Sequence, residues 1–256
     1  MQKDDFLVSL ESVLPERDYE IVCNTVLRKI IETNYTNTSD KKPSAENLHK
    51  TVALLREYQQ KGININAYGG YEDNDPLYTT ILYDNIHKYG YEICKAILEL
   101  GGDPNFVSVM GTGLDVIFRV SGSMKDVKDI YAWIDLFVWY DADLNFVPAN
   151  TRNPRQYNPL VSVCTFVDIS RMYQVLRYMI VAGAQPQMSG PELLLTVVYR
   201  MRHRKYGVSV DDFDQIIVLL VANNAIKTGR DADGKTPYER TQRMGMKPDI
   251  RKLLKP

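Results

Sequence analysis

The chain has 256 residues, 45% of them hydrophobic and 25% charged, the proportions of an ordinary water-soluble protein. Thirty-one Lys and Arg against thirty-two Asp and Glu leave a net charge of −1, which argues against general nucleic-acid or membrane-surface binding, although not against a local basic patch. The longest apolar stretches, 216–222 and 179–184, fall far short of the roughly 20 residues that span a bilayer.

The opening Met-Gln-Lys-Asp-Asp-Phe6 has no basic run followed by an apolar core, so no secretory leader is expected. Cys23, Cys94 and Cys164 are odd in number, widely spaced and set in apolar helical patterns. They read as buried thiols in a reducing, cytoplasmic compartment. Residues 6–14 suit a short helix. A longer one is predicted over 18–33, where Ile21, Val22, Val26, Leu27, Ile30 and Ile31 mark an apolar stripe. A polar connector, 34–43, leads to a further helix over 45–60. Residues before 44 lack the signature found downstream, and the helices 18–33 and 45–60 are expected as an atypical first pair that caps a stack of repeats, whose ends must tolerate water. Residues 1–43 are therefore assigned to an N-terminal helical cap and 44–256 to a repeat array, together one continuous domain.

From residue 55 onward one pattern recurs: an apolar helix end, a turn residue, then a short polar extension. The turn position is Gly62, Gly101, Asp141, Gly183 and Asn224, at intervals of 39, 40, 42 and 41 residues. Gly, Asn and Asp are the residues that best tolerate the left-handed conformation ending a helix. Each signature is followed by a helix-start signal: Asp75-Pro-Leu-Tyr, Thr112-Gly-Leu-Asp, Asn158-Pro-Leu-Val, Gly190-Pro-Glu-Leu and Thr236-Pro-Tyr-Glu. Asp, Thr and Asn can cap the free amides of a first turn, and Pro suits the first helical position. A second cap opens a longer helix in three of the units: Asp168 before 169–182, Ser209 before 210–222, and Ser123 before 127–140.

This order of turn, Thr-Pro-Leu-like start, short helix, longer helix and Leu-Leu-x-x-Gly-Ala-like end resembles the ankyrin repeat. Gly234-Lys-Thr-Pro-Tyr-Glu239 matches best at a helix start, and Val181-Ala-Gly-Ala184 at a helix end. The resemblance covers roughly 44–256 and implies an all-α, ankyrin-like solenoid of about five to six helix-turn-helix units with long fingers. Two features depart from it. The histidine that usually follows Pro-Leu is replaced by Tyr78, Asp115 and Val161 among others, so its hydrogen bonds between repeats must be supplied by other groups. The units also exceed the family's length of about 33 residues.

No catalytic set emerges. His49, His87 and His203 are isolated, none three or four residues from another His or Cys, so neither metal nor cofactor is expected. Pairing Cys94 with His87 would be the enzymatic alternative. The glycines of Gly69-Gly-Tyr and Met110-Gly-Thr-Gly lack the strand and Lys-Ser/Thr of a phosphate cradle. The run from Arg200 to Tyr206 is the densest basic cluster: either a solvated helix end, or a grip on phosphates or an acidic protein. Trp133 and Phe137 share one helical face, expected in the core, while Trp139 lies off that face and would anchor an interface if exposed. Leu14-Pro-Glu16 before an apolar helix resembles the opening of an F-box in little more than that dipeptide.

In the ankyrin family the fingers and shorter helices form a concave face that holds partners. The resemblance therefore implies a non-enzymatic protein–protein scaffold, with Tyr68, Tyr71, Asn150, Arg152, Arg155, Tyr157 and Met188 as candidate contacts. A monomer is expected, with an oligomer built on the aromatic patch 133–140 as the alternative. Elongated, diverged units of this kind also resemble those of bacterial effectors that act in a host cytoplasm.

Overall fold

The computed structural model describes residues 15, 19, 21–27, 30, 45–66, 88–107, 111–147, 158–204 and 208–256. The described stretches are helical where apolar periodicity predicts helices, with two 3-10 turns that the periodicity does not predict. Residues 19, 21–27 and 30 are helical, with Cys23 and Leu27 fully buried. The helices that follow are α1 (Ala45–Gln60), α2 (Lys88–Glu99), α3 (Gly113–Val120) and α4 (Val127–Trp139). Then come α5 (Pro159–Phe166), α6 (Ile169–Val181), α7 (Glu192–Arg202), α8 (Asp214–Ala222), α9 (Pro237–Thr241) and α10 (Pro248–Leu253).

All five turn residues adopt positive φ: Gly62 88°, Gly101 91°, Asp141 65°, Gly183 112° and Asn224 64°. Asp141 and Asn224 are the non-glycine residues in that region among those described. The left-handed residue lets the next amide bond back to a free carbonyl of the last helical turn. Ala184 N thus donates to Met179 O at 2.9 Å, Ala225 N to Leu220 O at 3.0 Å, and Ile63 N to Tyr58 O at 3.1 Å. Ile63, Ala184 and Ala225 are buried, which draws each chain end inward as it leaves the helix.

Three of the five predicted first-helix starts form as their sequences predict; at Gly190-Pro the proline takes the N-cap position without a side-chain cap, and the Asp75-Pro start lies outside the described residues. Thr112 with Asp115 and Thr236 with Glu239 make reciprocal capping boxes, and Asn158 Oδ1 accepts from Leu160 N at 3.1 Å. The second caps need correction. Ser209 does cap, in a box with Asp212, but residues 210–213 form a 3-10 turn (Val210–Phe213) before α8 begins. Asp168 sits at the cap position of α6 without capping it, because Arg171 Nη2 takes its carboxylate at 3.1 Å. Ser123 closes a 3-10 turn (Ser121–Ser123), and Asp126 caps α4 instead: its Oδ1 accepts from Lys128 N while Asp129 Oδ2 accepts from Asp126 N.

The chain forms two compact units, residues 1–123 with 139–142, and residues 124–138 with 143–256. In the first, α1 packs on α2 over the fully buried Leu55, Ile93 and Ile97. In the second, α5, α7 and α9 lie side by side as a row of first helices. The second helices α6, α8 and α10 form a parallel row, and α5 packs on α6, α7 on α8 and α9 on α10. Cys164, Leu176, Leu194, Val197, Ile216 and Leu220 are fully buried between them. Gly229 completes this packing: a Cβ there would lie 1.7 Å from Pro191 Cβ, so the loop before α9 closes over the start of α7 only with glycine.

Side-chain amides stitch successive fingers within each unit. Asn66 Nδ2 donates to Gly101 O at 2.9 Å, and Asp103 N donates back to Asn66 Oδ1 at 2.7 Å. Asn105 Nδ2 donates to Asp141 O at 3.1 Å. In the second unit Asn145 makes the matching pair to Gly183 O and Gln185 N. Each of these asparagines stands four residues past a turn position.

Candidate functional site

Within α7, Leu193, Leu194, Val197, Val198 and Met201 are buried, which sends Leu195, Thr196, Tyr199, Arg202 and His203 to the other side of the helix. Tyr199 is 64% exposed, and its ring lies against that of His203, one turn later, with centroids 4.4 Å apart. Two grooves meet at this pair. One, of about 510 Å³, runs between α7 and α9 past Leu195, Tyr199, Arg202 and Met244, with Glu192 at its far end. The other, of about 390 Å³, lies on the α5 side beside Thr165, Asp168, His203 and Val208.

Arg200 holds this face in place. Its Nη1 donates to Val167 O at 2.7 Å and Cys164 O at 3.0 Å, tying α7 to the carbonyls at the end of α5. The half-buried guanidinium loses hydration there, which lowers its pKa. The basic run from Arg200 to Tyr206 is therefore divided in its described part. Arg200 serves the neighbouring helix, Arg204 is held by Met201 O and Val208 O, and Arg202 and His203 face solvent. On α9, Arg240 is gripped by Asp231 and Asp233 in the turn before the helix, which holds Asp231 down to about 2.

Of the sequence-derived contacts, the structure describes Met188, 52% exposed on the finger between Gly183 and Gly190. Tyr68, Tyr71, Asn150, Arg152, Arg155 and Tyr157 lie outside the described residues, as does His87. Trp133 and Phe137 are buried as expected and Trp139 is 81% exposed. Tyr199 was not among the candidates. The signal was present, since it is the large aromatic left over once the core positions of α7 are assigned.

Burial pushes the Cys164 thiol up to about 12, against a smaller opposing effect of Arg200, so it stays protonated and poorly nucleophilic. Among the described residues no three His, Cys, Asp or Glu side chains are placed to share a metal ion.

An ankyrin repeat domain from Acinetobacter baumannii AYE superposes over 81% of this chain and 92% of its own length, with a TM-score of 0.52 at 17% identity. The chain has the ankyrin-repeat fold. The human ASB11 ankyrin repeat domain aligns over 90% of this chain and 97% of its own, with 15% identity and a TM-score of 0.40. No protein-family model and no curated protein matches the sequence. Within this ankyrin fold, buried Asn158 and Ser189 join two successive helix starts through a 2.7 Å bond from Ser189 Oγ to Asn158 Oδ1, and the finger asparagines make further bonds between repeats. No described helix is long and apolar enough to cross a membrane.

Proposed function

We propose that this protein is a non-enzymatic scaffold that holds another protein against its row of first helices α5, α7 and α9 and the adjoining fingers. Tyr199 carries the reading. A large, mostly exposed aromatic, braced by His203 and flanked by two grooves, has the makeup of an interface anchor: it offers much contact area and little rotamer freedom to lose. Side chains already held by packed helices have less freedom to lose on binding. Met188, exposed on the finger before α7, is part of this surface in our reading, and the other finger residues named from the sequence are proposed as further contacts. The compartment is the cytoplasm, of the producing cell or of a host.

Site-specific photo-crosslinking tests it. A photoreactive side chain at position 199 is expected to trap a discrete protein at near-stoichiometric yield. The same group at Val218, 42% exposed on second helix α8, is expected to trap none. A partner trapped from 218 and not from 199 would place binding on the opposite row and sink the proposal.

A further inference from the structure

We infer that the segment bound on this face is an acidic peptide stretch carrying an apolar side chain, with its carboxylates on Arg202, Arg204 and Arg243 and the apolar group against Tyr199 and Met244. This rests on the binding face proposed above and adds the chemistry of the occupant. The α7–α9 groove opens at its Arg202 end into a second depression of about 530 Å³, lined by five cations, Arg202, Arg204, Lys235, Arg240 and Arg243. Three carboxylates stand near them and all are committed. Asp231 and Asp233 grip Arg240, while Glu239 accepts from Thr236 N at 2.8 Å and pairs with Arg230 at 3.3 Å.

The remaining cations are available. Arg204 is oriented by two backbone carbonyls, which fix its guanidinium without cancelling its charge. Arg202 and Arg243 are exposed and have no ion pair among the described residues. The protein as a whole carries −1, so this positive excess is local to one end of a groove whose middle, at Leu195, Val198 and Tyr199, is largely apolar. At the other end stands Glu192, and on the α5 side Asp168 is paired with Arg171. The groove thus has a polarity: acidic residues are favoured at the Arg202 end and an apolar side chain over Tyr199. Charge complementarity of this kind selects the partner and its direction. Nucleic acid is disfavoured, because phosphate backbones are held by ladders of cations along a path, whereas here a single cluster adjoins apolar surface.

The test is selection of a random dodecapeptide display library on the intact protein, run in parallel on the Arg202→Glu/Arg243→Glu variant. Enriched peptides are expected to combine Asp or Glu with a neighbouring Leu, Phe or Trp. The best of them, synthesised and labelled, should bind about tenfold or more weakly to the double variant, and weaken as salt is raised. Arg202→Gln/Arg243→Gln repeats the comparison should charge reversal disturb the helical circular dichroism. Selected peptides without acidic bias, or equal affinity for wild type and both variants, overturn the inference. If such peptides still crosslink to position 199, the binding face stands and only its chemistry is wrong; if they do not, the face itself fails. Tighter binding of a single-stranded RNA oligonucleotide, with the same sensitivity to Arg202 and Arg243, would also overturn it in favour of a nucleic acid.

Discussion

Asn145 spans two fingers to meet Gly183: its Nδ2 donates to the Gly183 carbonyl at 3.2 Å, while its Oδ1 accepts from Gln185 N at 2.6 Å. The carbonyl it satisfies belongs to the left-handed residue that ends α6, whose own turn leaves that oxygen facing outward. Asn145→Ala removes both bonds and is expected to cost about 1–2 kcal/mol in denaturant unfolding. Asn145→Asp keeps the acceptor but sets a carboxylate against a carbonyl, so it should recover only part of the loss. Amide exchange at Gln185 should quicken in the alanine variant; unchanged protection there would show that the bond does not form in solution.

Arg200 and Arg202 are two residues apart and have opposite assignments. Arg200→Ala leaves the Cys164 and Val167 carbonyls without their donor and should lower stability by about 2 kcal/mol, the usual range for bonds to a charged group. Lysine at 200, a flexible point charge, should restore only part of this. Arg202→Ala, on an exposed side chain, should stay within about 0.5 kcal/mol of wild type. Thermal unfolding of the three variants decides it, and a stability loss at 202 matching that at 200 would refute the division.

The turn positions can be relaxed or strained at will. Asp141 and Asn224 hold φ of 65° and 64°, where a side chain is tolerated and glycine is at ease. Asp141→Gly and Asn224→Gly should each be neutral or gain up to about 0.5–1 kcal/mol. Gly183→Ala, at φ 112°, should lose about 1 kcal/mol or more although nothing crowds its Cβ. Destabilisation by both glycine substitutions would mean that the Asp and Asn side chains contribute something besides backbone tolerance.

The turns were the most legible part of the sequence because one backbone requirement, a left-handed residue after an apolar helix end, admits few residue types. Gly62, Gly101, Asp141, Gly183 and Asn224 therefore announced the repeat period. Second caps were less legible, since Ser123, Asp126 and Asp168 are all competent by type. Which one caps depends on competing partners, and only the folded chain sets Arg171 beside Asp168. The proposed binding surface was harder still. Sequence reasoning favoured long polar fingers and passed over Tyr199, whose exposure follows only after neighbouring helices have claimed the other face of α7. Arg200 and Arg202 likewise look alike in a string of basic residues and separate only when the α5 carbonyls are in place.

Acid should act on the turn before α9 in a narrow window. Arg240 and the amides of Lys235 and Asp233 hold the Asp231 carboxyl at about 2 in the folded chain, against 3.8 for the free side chain. A folded-state pKa below the unfolded one means that the unfolded chain binds the proton first. The contribution of Asp231 to stability is then complete above its ordinary pKa and is lost as pH falls from about 4 towards 2. In Asp231→Asn the Oδ1 atom can still accept from Asp233 N and Lys235 N, so the change isolates the pair with Arg240. The gap in unfolding midpoint between wild type and variant should be constant from neutrality down to about pH 4 and should close by about pH 2. Glu239 is also held below its usual range, by the Thr236 amide, but it titrates in both proteins and drops out of the difference. A gap that persists through the most acid point, or has vanished near neutrality, would contradict the assignment. The same variant leaves Arg240 held by Asp233 alone and should bind a selected acidic dodecapeptide more tightly, which links the stability of this turn to the charge of the groove beside it.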